Sequence, residues 1–344
     1  MKYSLDPYTI ICRKLLSMNL KSEVRPRQAI FFVTDLGFAL PTLACALEVR
    51  KKVPRNRADI RIVTTDLPVR TFGRIAEFAA PHGIELNNLP WPSFTEFDHG
   101  AFHKTHVPMS SLARFFMLDA VPDIYDRILY LDGDTWPLGD PLKLLEASLP
   151  EGCLGSAEDR NYFRRHEVGP VGRKTRAYFS GLGINGDRGY FSAGVLLADT
   201  RTWRKISADA FAYFVDNTAR CHYHDQSALN AVAGECWVRL APQWNFMHSY
   251  AEWRLKHGTS PQILHFAGGD KPWTVPYHPY YQTYQTAFAP LRELGLPIQQ
   301  YSQQRIAALA RRARLRKLRD ALFIHRRLYY QYTYDYLVKT SAIQ

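Results

Sequence analysis

Arg127-Ile-Leu-Tyr-Leu-Asp132-Gly-Asp134 decides how this chain folds. Ile128 to Leu131 is a continuous apolar run rather than an alternating one, the pattern of a short strand buried on both faces, and Gly133 and Pro137 close it. Strands of that kind belong to sheets with helices packed on both sides. Side chains alternate along extended backbone, so Asp132 and Asp134 share a face with Gly133 between them. Two neighbouring carboxylates repel, and at the end of a buried strand they are costly unless a cation or hydrogen-bond donors compensate them. Hard oxygen ligands favour Mg²⁺ or Mn²⁺, and a metal held this way keeps open positions that a diphosphate can fill. An Asp-x-Asp arises often by chance and most often ends a strand in a solvated turn. The flanking segments must therefore carry the rest of the reading.

Upstream, Ala29-Ile-Phe-Phe-Val33 is a second buried-strand run, ending at Thr34-Asp35. Leu40 to Val49 reads as a helix, Ile60 to Thr64 as a strand, Thr71 to Ala80 as a helix and Ile84 to Leu89 as a strand. This β-α-β-α-β opening predicts an α/β fold with a mostly parallel sheet and ligands bound beyond the carboxyl ends of its strands. No Gly-x-Gly-x-x-Gly or Walker A loop follows the first strand, which argues against a dinucleotide oxidoreductase or a P-loop enzyme. Leu112 to Ala120 reads as a further helix, and His106 and Arg114 can meet an anionic ligand there.

Downstream, Asp140-Pro-Leu142 to Leu145 predicts a short helix and Gly152 to Ala157 a strand that reaches Glu158-Asp159. Asn161 to Arg188 is rich in Gly and Arg without periodicity and predicts a long functional loop. Phe191 to Ala198 is strand-like, Trp203 to Val215 helical, and Asp225-Gln226 precedes a helix at Ala228 to Val232, where the acid either caps the helix or serves a ligand. In Ile263-Leu-His265-Phe-Ala-Gly268-Gly-Asp-Lys271-Pro-Trp273 a histidine on a buried strand is followed by two glycines and a lysine. Glycine lets backbone approach a phosphate closely, and Lys supplies a point charge for it.

Together, Leu129-Tyr-Leu-Asp132-Gly-Asp134, Phe191-Ser-Ala-Gly-Val-Leu-Leu197, Asp225-Gln226 and His265 to Trp273 resemble the motif series of family 8 glycosyltransferases, in order and spacing from Ala29 to Trp273. That family includes bacterial lipopolysaccharide galactosyl- and glucosyltransferases and glycogenin. The resemblance implies a GT-A fold, a UDP-sugar donor, Mn²⁺ (with Mg²⁺ as the substitute) and retention of anomeric configuration. It implies Asp132, Asp134 and His265 as metal ligands. It also implies donor contacts from Thr34, Asp35, His106, Arg114, Asp132, Gly133, Ser192, Ala193, Gly268 and Lys271. Asp225 and Gln226 fall where the family holds the transferred sugar, and Asp159 and Tyr223 match acceptor-side positions. The chain departs from the family pattern at Ser192, where many members have Asn, at Ser227, where they have Asp, and at Leu36-Gly37, which replaces a polar pair. These departures surround the nucleoside and the sugar rather than the metal.

Charge divides the chain further. The net charge is +12, and the stretch from Arg305 to Arg327 holds nine arginines and lysines against the single Asp320. Leu328-Tyr-Tyr-Gln-Tyr-Thr-Tyr-Asp-Tyr336 follows. Basic residues beside interfacial aromatics suit an anionic membrane surface carrying a lipid-linked acceptor. In Gln303 to Arg327 the apolar residues fall on two nearly opposite faces, which two short helices or a bend would reconcile. The expected organisation is an N-terminal arm over 1–28, a catalytic domain over 29–297 and a basic, aromatic membrane-association segment over 298–344.

The five cysteines are scattered and odd in number, so neither a disulfide framework nor a zinc knuckle is expected. No apolar run approaches the roughly 18 residues of a membrane span, and the N-terminal apolar patch at Tyr8 to Cys12 is too short for a secretory signal. The expectation is a cytoplasmic enzyme, peripheral to the membrane, whose partners are a nucleotide sugar and a glycan or glycolipid. Two rivals differ in their marks. A sugar-phosphate nucleotidylyltransferase would carry a Gly-rich basic loop after the first strand, which Asp35-Leu-Gly37 does not provide. A nucleic-acid-binding protein driven by the basic tail leaves the Asp pair, His265 and Lys271 without a task, so no nucleic-acid partner is expected.

Overall fold

The computed structural model describes residues 27–89, 109–184, 188–253, 255, 260–322 and 324–344. The expected β-α-β-α-β opening is present as β1 (Gln28–Thr34), α1 (Ala39–Lys52), β2 (Asp59–Thr65), α2 (Val69–Ala79) and β3 (Ile84–Leu89). The helix expected at Leu112 to Ala120 is present as a 3₁₀ helix over Met109–Ala120. Then come β4 (Arg127–Leu131), β5 (Thr135–Pro137), α3 (Pro141–Leu145), β6 (Leu154–Ala157), α4 (Arg160–Arg164), α5 (Pro170–Gly181), β7 (Val195–Asp199), α6 (Thr200–Asp216) and α7 (His224–Ala233). The chain closes with β8 (Trp237–Leu240), β9 (Phe246–Met247), α8 (His248–Glu252), β10 (Ile263–His265), α9 (Tyr281–Phe288), α10 (Gln303–Leu322) and α11 (Ile324–Thr340).

One sheet carries seven strands in the order β3-β2-β1-β4-β7-β6-β8, and a small sheet runs β5-β10-β9. In the large sheet β7 runs antiparallel to both β4 and β6, while the other pairings are parallel. The continuous apolar strands have the predicted cause. Ile30 and Phe32 of β1 enter one buried cluster with α1, whereas Ala29 and Phe31 enter another with α6 and the 3₁₀ helix. Both faces are covered, so the strand has no polar side to show.

Three segments differ from the sequence expectation. Asn161 to Arg188 is not an irregular loop but contains most of α4 and all of α5. Gly169, at φ 96°, turns the chain, Pro170 opens α5, and the helix buries little besides Gly172 and Phe179. With so few apolar anchors among basic residues, no 3.6-residue period was readable. The expected strand at Phe191 begins only at Val195: Phe191 keeps an isolated antiparallel bridge to Glu158, and the Ser156 hydroxyl donates to the carbonyls of Ser192 (2.6 Å) and Val195 (2.9 Å).

The third difference lies in the tail, which forms two helices and behaves as two parts. Tyr330, Tyr334 and Leu337 of α11 are buried in the same cluster as Phe163, Phe246 and Tyr250, so these tyrosines are core residues rather than interfacial ones. Beyond α11 the chain runs along β8, with Ala241 N–H donating to the Ile343 carbonyl at 2.8 Å and Ala342 N–H to the Arg239 carbonyl at 3.0 Å. By contrast α10 keeps Arg311, Arg312, Arg314, Leu315 and Leu318 exposed.

Candidate active site

The carboxyl ends of β1 and β4 open into a cavity of about 450 Å³, and nearly every residue singled out from the sequence lines it. Thr34, Asp35, Arg114, Asp132, Gly133, Asp134, Asp159, Ser192, Ala193, Tyr223, Asp225, Gln226, His265, Gly268 and Lys271 meet there. His106 lies outside the described residues. Phe38, Ser110, Arg160, Gln299, Tyr301 and Arg305 also line the cavity and were not anticipated.

Asp132 and Asp134 flank a turn that only glycine fits, since a Cβ on Gly133 would stand 2.1 Å from the Thr42 hydroxyl oxygen on α1. Antiparallel pairing of β10 with β5 places His265 opposite Thr135, so the histidine reaches the same point from the second sheet. Its Nε2 lies 3.5 Å from Asp134 Oδ1 and 3.8 Å from Asp132 Oδ2. One ligand atom from each of the three residues lies within 4.8 Å of the others. Asn245 Oδ1 lies 2.8 Å from His265 Nδ1; in the tautomer with its proton on Nδ1 the ring donates to that oxygen and turns the Nε2 lone pair toward the two carboxylates. Three acceptors that converge in this way fit a divalent cation. Gly194 backs the imidazole so closely that a Cβ would lie 2.3 Å from Cε1.

Arg114 organises the other side. Its Nη2 donates to Asp132 Oδ1 (2.9 Å), its Nη1 to the Ala193 carbonyl (2.6 Å), and its Nε pairs with Asp225 Oδ2 (3.0 Å). The Tyr130 hydroxyl also donates to Asp132 Oδ1 at 2.7 Å, so this oxygen is fully engaged and Oδ2 is left toward His265. Burial would lower the guanidinium pKa, but Asp132 and Asp225 more than offset it and hold Arg114 charged. Burial pushes the Asp225 carboxyl up against the pull of Arg114. Asp225 thus sits in the first turn of α7 without capping it, committed to Arg114. Beside it, Gln226 Oε1 accepts from Ala193 N–H at 3.0 Å, which fixes the amide over the site.

Lys271 Nζ contacts Asp134 Oδ2 and donates to the Phe266 carbonyl at 3.0 Å. Burial alone would raise the Asp134 pKa, but Lys271 and His265 hold it well below the usual carboxylate range. The glycine loop before Lys271 takes φ 112° at Gly268, a conformation side chains rarely adopt. The Tyr301 hydroxyl donates to the Gly269 carbonyl at 2.7 Å, and the Arg305 guanidinium lies 4.1 Å from the Tyr301 ring centroid. Asp35 accepts from Phe38 N–H at 3.0 Å and from the Ser110 hydroxyl at 2.6 Å. At the far end Asp159 caps α4 by accepting from Asn161 N–H at 2.8 Å, and Ser227 joins Tyr178 (2.7 Å) to Tyr223 N–H (2.8 Å). A short hydroxyl serves those two partners where the family pattern has a carboxylate.

A family model described as "Glycosyl transferase family 8" matches residues 29–275, from β1 through the Lys271 loop. The chain belongs to glycosyltransferase family 8. Among curated relatives, the glycosyltransferase GlyF of Streptococcus pneumoniae (serotype 4, TIGR4) is 28% identical over 261 residues, 72% of this chain and 58% of that protein. The lipopolysaccharide 1,2-glucosyltransferase of Escherichia coli K12 is 25% identical over 172 residues, 46% of this chain and 48% of its own length. The family 8 chain thus spans about half the length of these two relatives. Among solved structures, galactosyltransferase LgtC in complex with donor and acceptor sugar analogs superposes with a TM-score of 0.63 at 20% identity, over 75% of this chain and 94% of that one. At that identity the likeness speaks for the GT-A fold.

Proposed function

We propose that this family 8 glycosyltransferase transfers a hexose, galactose or glucose, from a UDP-sugar to a glycan acceptor, with retention of configuration and with Mn²⁺ or Mg²⁺ bound. The observation that carries the reading is the convergence of Asp132, Asp134 and His265 beside Lys271. Asp132, Asp134 and His265 would hold the cation, whose chemistry is to neutralise charge that develops on a departing diphosphate. Lys271 adds a fixed positive charge at the same point, where it acts on the product as well as on the donor. Asp35 and Ser110, at the β1 end, face the nucleoside, and Gly268 brings backbone to the phosphates. Arg114 keeps Asp132 aimed, Asp225 keeps Arg114 in place, and Gln226 positions the transferred sugar. Asp159 and Tyr223 border the acceptor.

Incubation with a panel of nucleotide sugars and Mn²⁺, with nucleoside diphosphate followed, tests this. UDP release from UDP-galactose or UDP-glucose is expected, and Asp134→Asn should lower the Mn²⁺-dependent rate by about a thousandfold, about 4 kcal/mol of transition-state stabilisation. Pyrophosphate release from UTP and a sugar phosphate would replace the reading with nucleotidyl transfer. Near-normal Mn²⁺ activation in Asp134→Asn would remove the metal assignment.

The acceptor in this proposal is lipid-linked, such as a lipopolysaccharide core, and is met at the cytoplasmic face of the membrane. The support is α10, which carries basic residues beside exposed Leu315 and Leu318, with Leu328 and Tyr332 exposed on α11. No described helix is long and apolar enough to cross a membrane. Removing the whole tail would strip Tyr330 and Tyr334 from the core, so the informative variant is the triple change Arg311→Gln, Arg312→Gln and Arg314→Gln. It should lose most co-sedimentation with anionic vesicles at low salt, since each surface cation contributes about 1 kcal/mol. Equal partitioning of the two proteins would return α10 to the role of a solvated helix.

A further inference from the structure

Next to the donor cavity lies a second hollow of about 540 Å³ between α5 and the turn before α7, and Asn161 and Tyr223 belong to both. The charged side chains that line it are Lys174 from α5 and Arg220 from the turn, and no acidic residue is among the described residues that line it. Lys174 has no hydrogen-bond or ion-pair partner among the described residues. On the hollow's wall His222 stacks on Tyr178 with ring centroids 4.9 Å apart and planes within 11°. Flat aromatic faces with an amide and a hydroxyl, from Asn161 and Thr175, suit a sugar ring. The two cations suit something else.

The surroundings point the same way. Between residues 159 and 188 the sequence has seven arginines and lysines against three acids. Of the acids, Asp159 caps α4, and Glu167 is taken by Arg326. Several guanidiniums are absorbed by backbone carbonyls: Arg165 reaches that of Arg188 (2.9 Å), Arg176 that of Arg165 (2.6 Å) and Arg188 that of Asn230 (2.7 Å). Arg160 and Arg164 lie one turn apart on α4, an unfavourable like-charge spacing. Burial and then Arg160 lower the Arg164 pKa, and its buried Nε has no hydrogen-bond partner. Arg160 lines the donor cavity at the edge that leads to Asn161. Among the described residues, Arg160, Arg164, Lys174 and Arg220 thus outnumber Asp159 along the path from the donor to the second hollow, where a neutral glycan would gain nothing from the excess.

We infer that the second hollow is a subsite for an anionic substituent, a phosphate or a carboxylate, carried by the acceptor glycan. The accepting sugar stands at Asn161 and Tyr223, and its charged group, or that of the adjoining sugar, reaches Lys174 and Arg220. The inference rests on the assignment of the first cavity to the donor.

Its test is equilibrium binding to the full-length protein with UDP and Mn²⁺ present. The probes are p-nitrophenyl β-galactoside, its 6-phosphate and p-nitrophenyl β-glucuronide, each measured at low and at physiological salt. At least one charged probe should bind about tenfold more tightly than the neutral one, the advantage of two partly exposed ion pairs, and should lose much of it as salt rises. Preference for the phosphate or for the uronic acid names the anion. The double variant Lys174→Ala/Arg220→Ala should erase the advantage while UDP affinity, titrated separately, stays unchanged. Equal binding of neutral and charged probes overturns the inference, as does an advantage that survives in the double variant. Loss of UDP affinity in that variant would also overturn it, by giving the cations to the donor. Failure of the unmodified protein to bind UDP would instead strike the donor assignment, which the comparison between probes reads independently.

Discussion

The proposed donor wall and the proposed acceptor wall of this cleft handle charge in opposite ways. On the donor wall every buried charge is matched within the protein: Arg114 is shared by Asp132 and Asp225, and Asp134 is engaged by Lys271. On the acceptor wall cations outnumber anions among the described residues, and Lys174 and Arg220 lie exposed. A matched, buried network holds one geometry before substrate arrives, because each partner fixes the next. An unmatched, exposed set costs little to maintain and gains its partner only from a ligand. The difference predicts that substitutions on the donor wall damage the fold and the chemistry together, whereas those on the acceptor wall change only which glycan is chosen.

The largest effect that would test this contrast is at Arg114. Arg114→Ala strands the buried Asp225 carboxylate and the half-buried Asp132 carboxylate and leaves the Ala193 carbonyl without its donor, which should destabilise the protein by about 3–5 kcal/mol in denaturant unfolding. Adding Asp225→Asn should recover part of that loss, since one of the stranded charges is then gone. Activity should not return, because Asp132 keeps only Tyr130 to orient it. If Arg114→Ala unfolded at the same denaturant concentration as the parent, the donor wall would not be a matched network. The contrast with Lys174→Ala/Arg220→Ala, which should leave stability unchanged, would then fail.

The same contrast explains what could be read in the sequence. The donor wall is assembled from strand ends, and strands buried on both faces announce themselves by continuous apolar runs such as Ile128 to Leu131. Asp35, Asp132 and Asp134 follow such runs and His265 ends one, which puts them at strand ends, while the resemblance to family 8 implies the shared role of Asp132, Asp134 and His265. Tyr130 was legible only as an apolar strand residue, and its hydroxyl to Asp132 depends on a face choice that a four-residue run cannot reveal. The acceptor wall rests on α4 and α5, short helices whose outer faces are basic and whose anchors are few, so their period is drowned by charge. In α11, Tyr330, Thr333, Tyr334 and Leu337 are spaced i, i+3, i+4 and i+7, the stripe of a packed helix. The neighbouring arginines suit a membrane surface, whereas this spacing marks a face that packs inward. Gln299, Tyr301 and Arg305 reach the cavity only through the path of the chain after α9, so in the sequence Arg305 reads only as the start of the basic stretch.

That last segment supplies the finest test of where the donor wall ends. Tyr301 ties the Gly269 carbonyl and lies under Arg305, so the root of the tail braces the glycine loop from outside. Tyr301→Phe removes one hydrogen bond of about 1 kcal/mol, which should raise the donor KM by about fivefold and leave kcat nearly unchanged, since the reacting carbon is held elsewhere. Arg305→Ala removes an exposed cation, and its effect should be smaller, about twofold in the same constant and weaker at high salt. A fall in kcat at constant KM in either variant would place this segment against the chemistry rather than the phosphates. If neither constant changed, the donor wall would stop at Lys271, and the segment would serve only to lead the chain into α10.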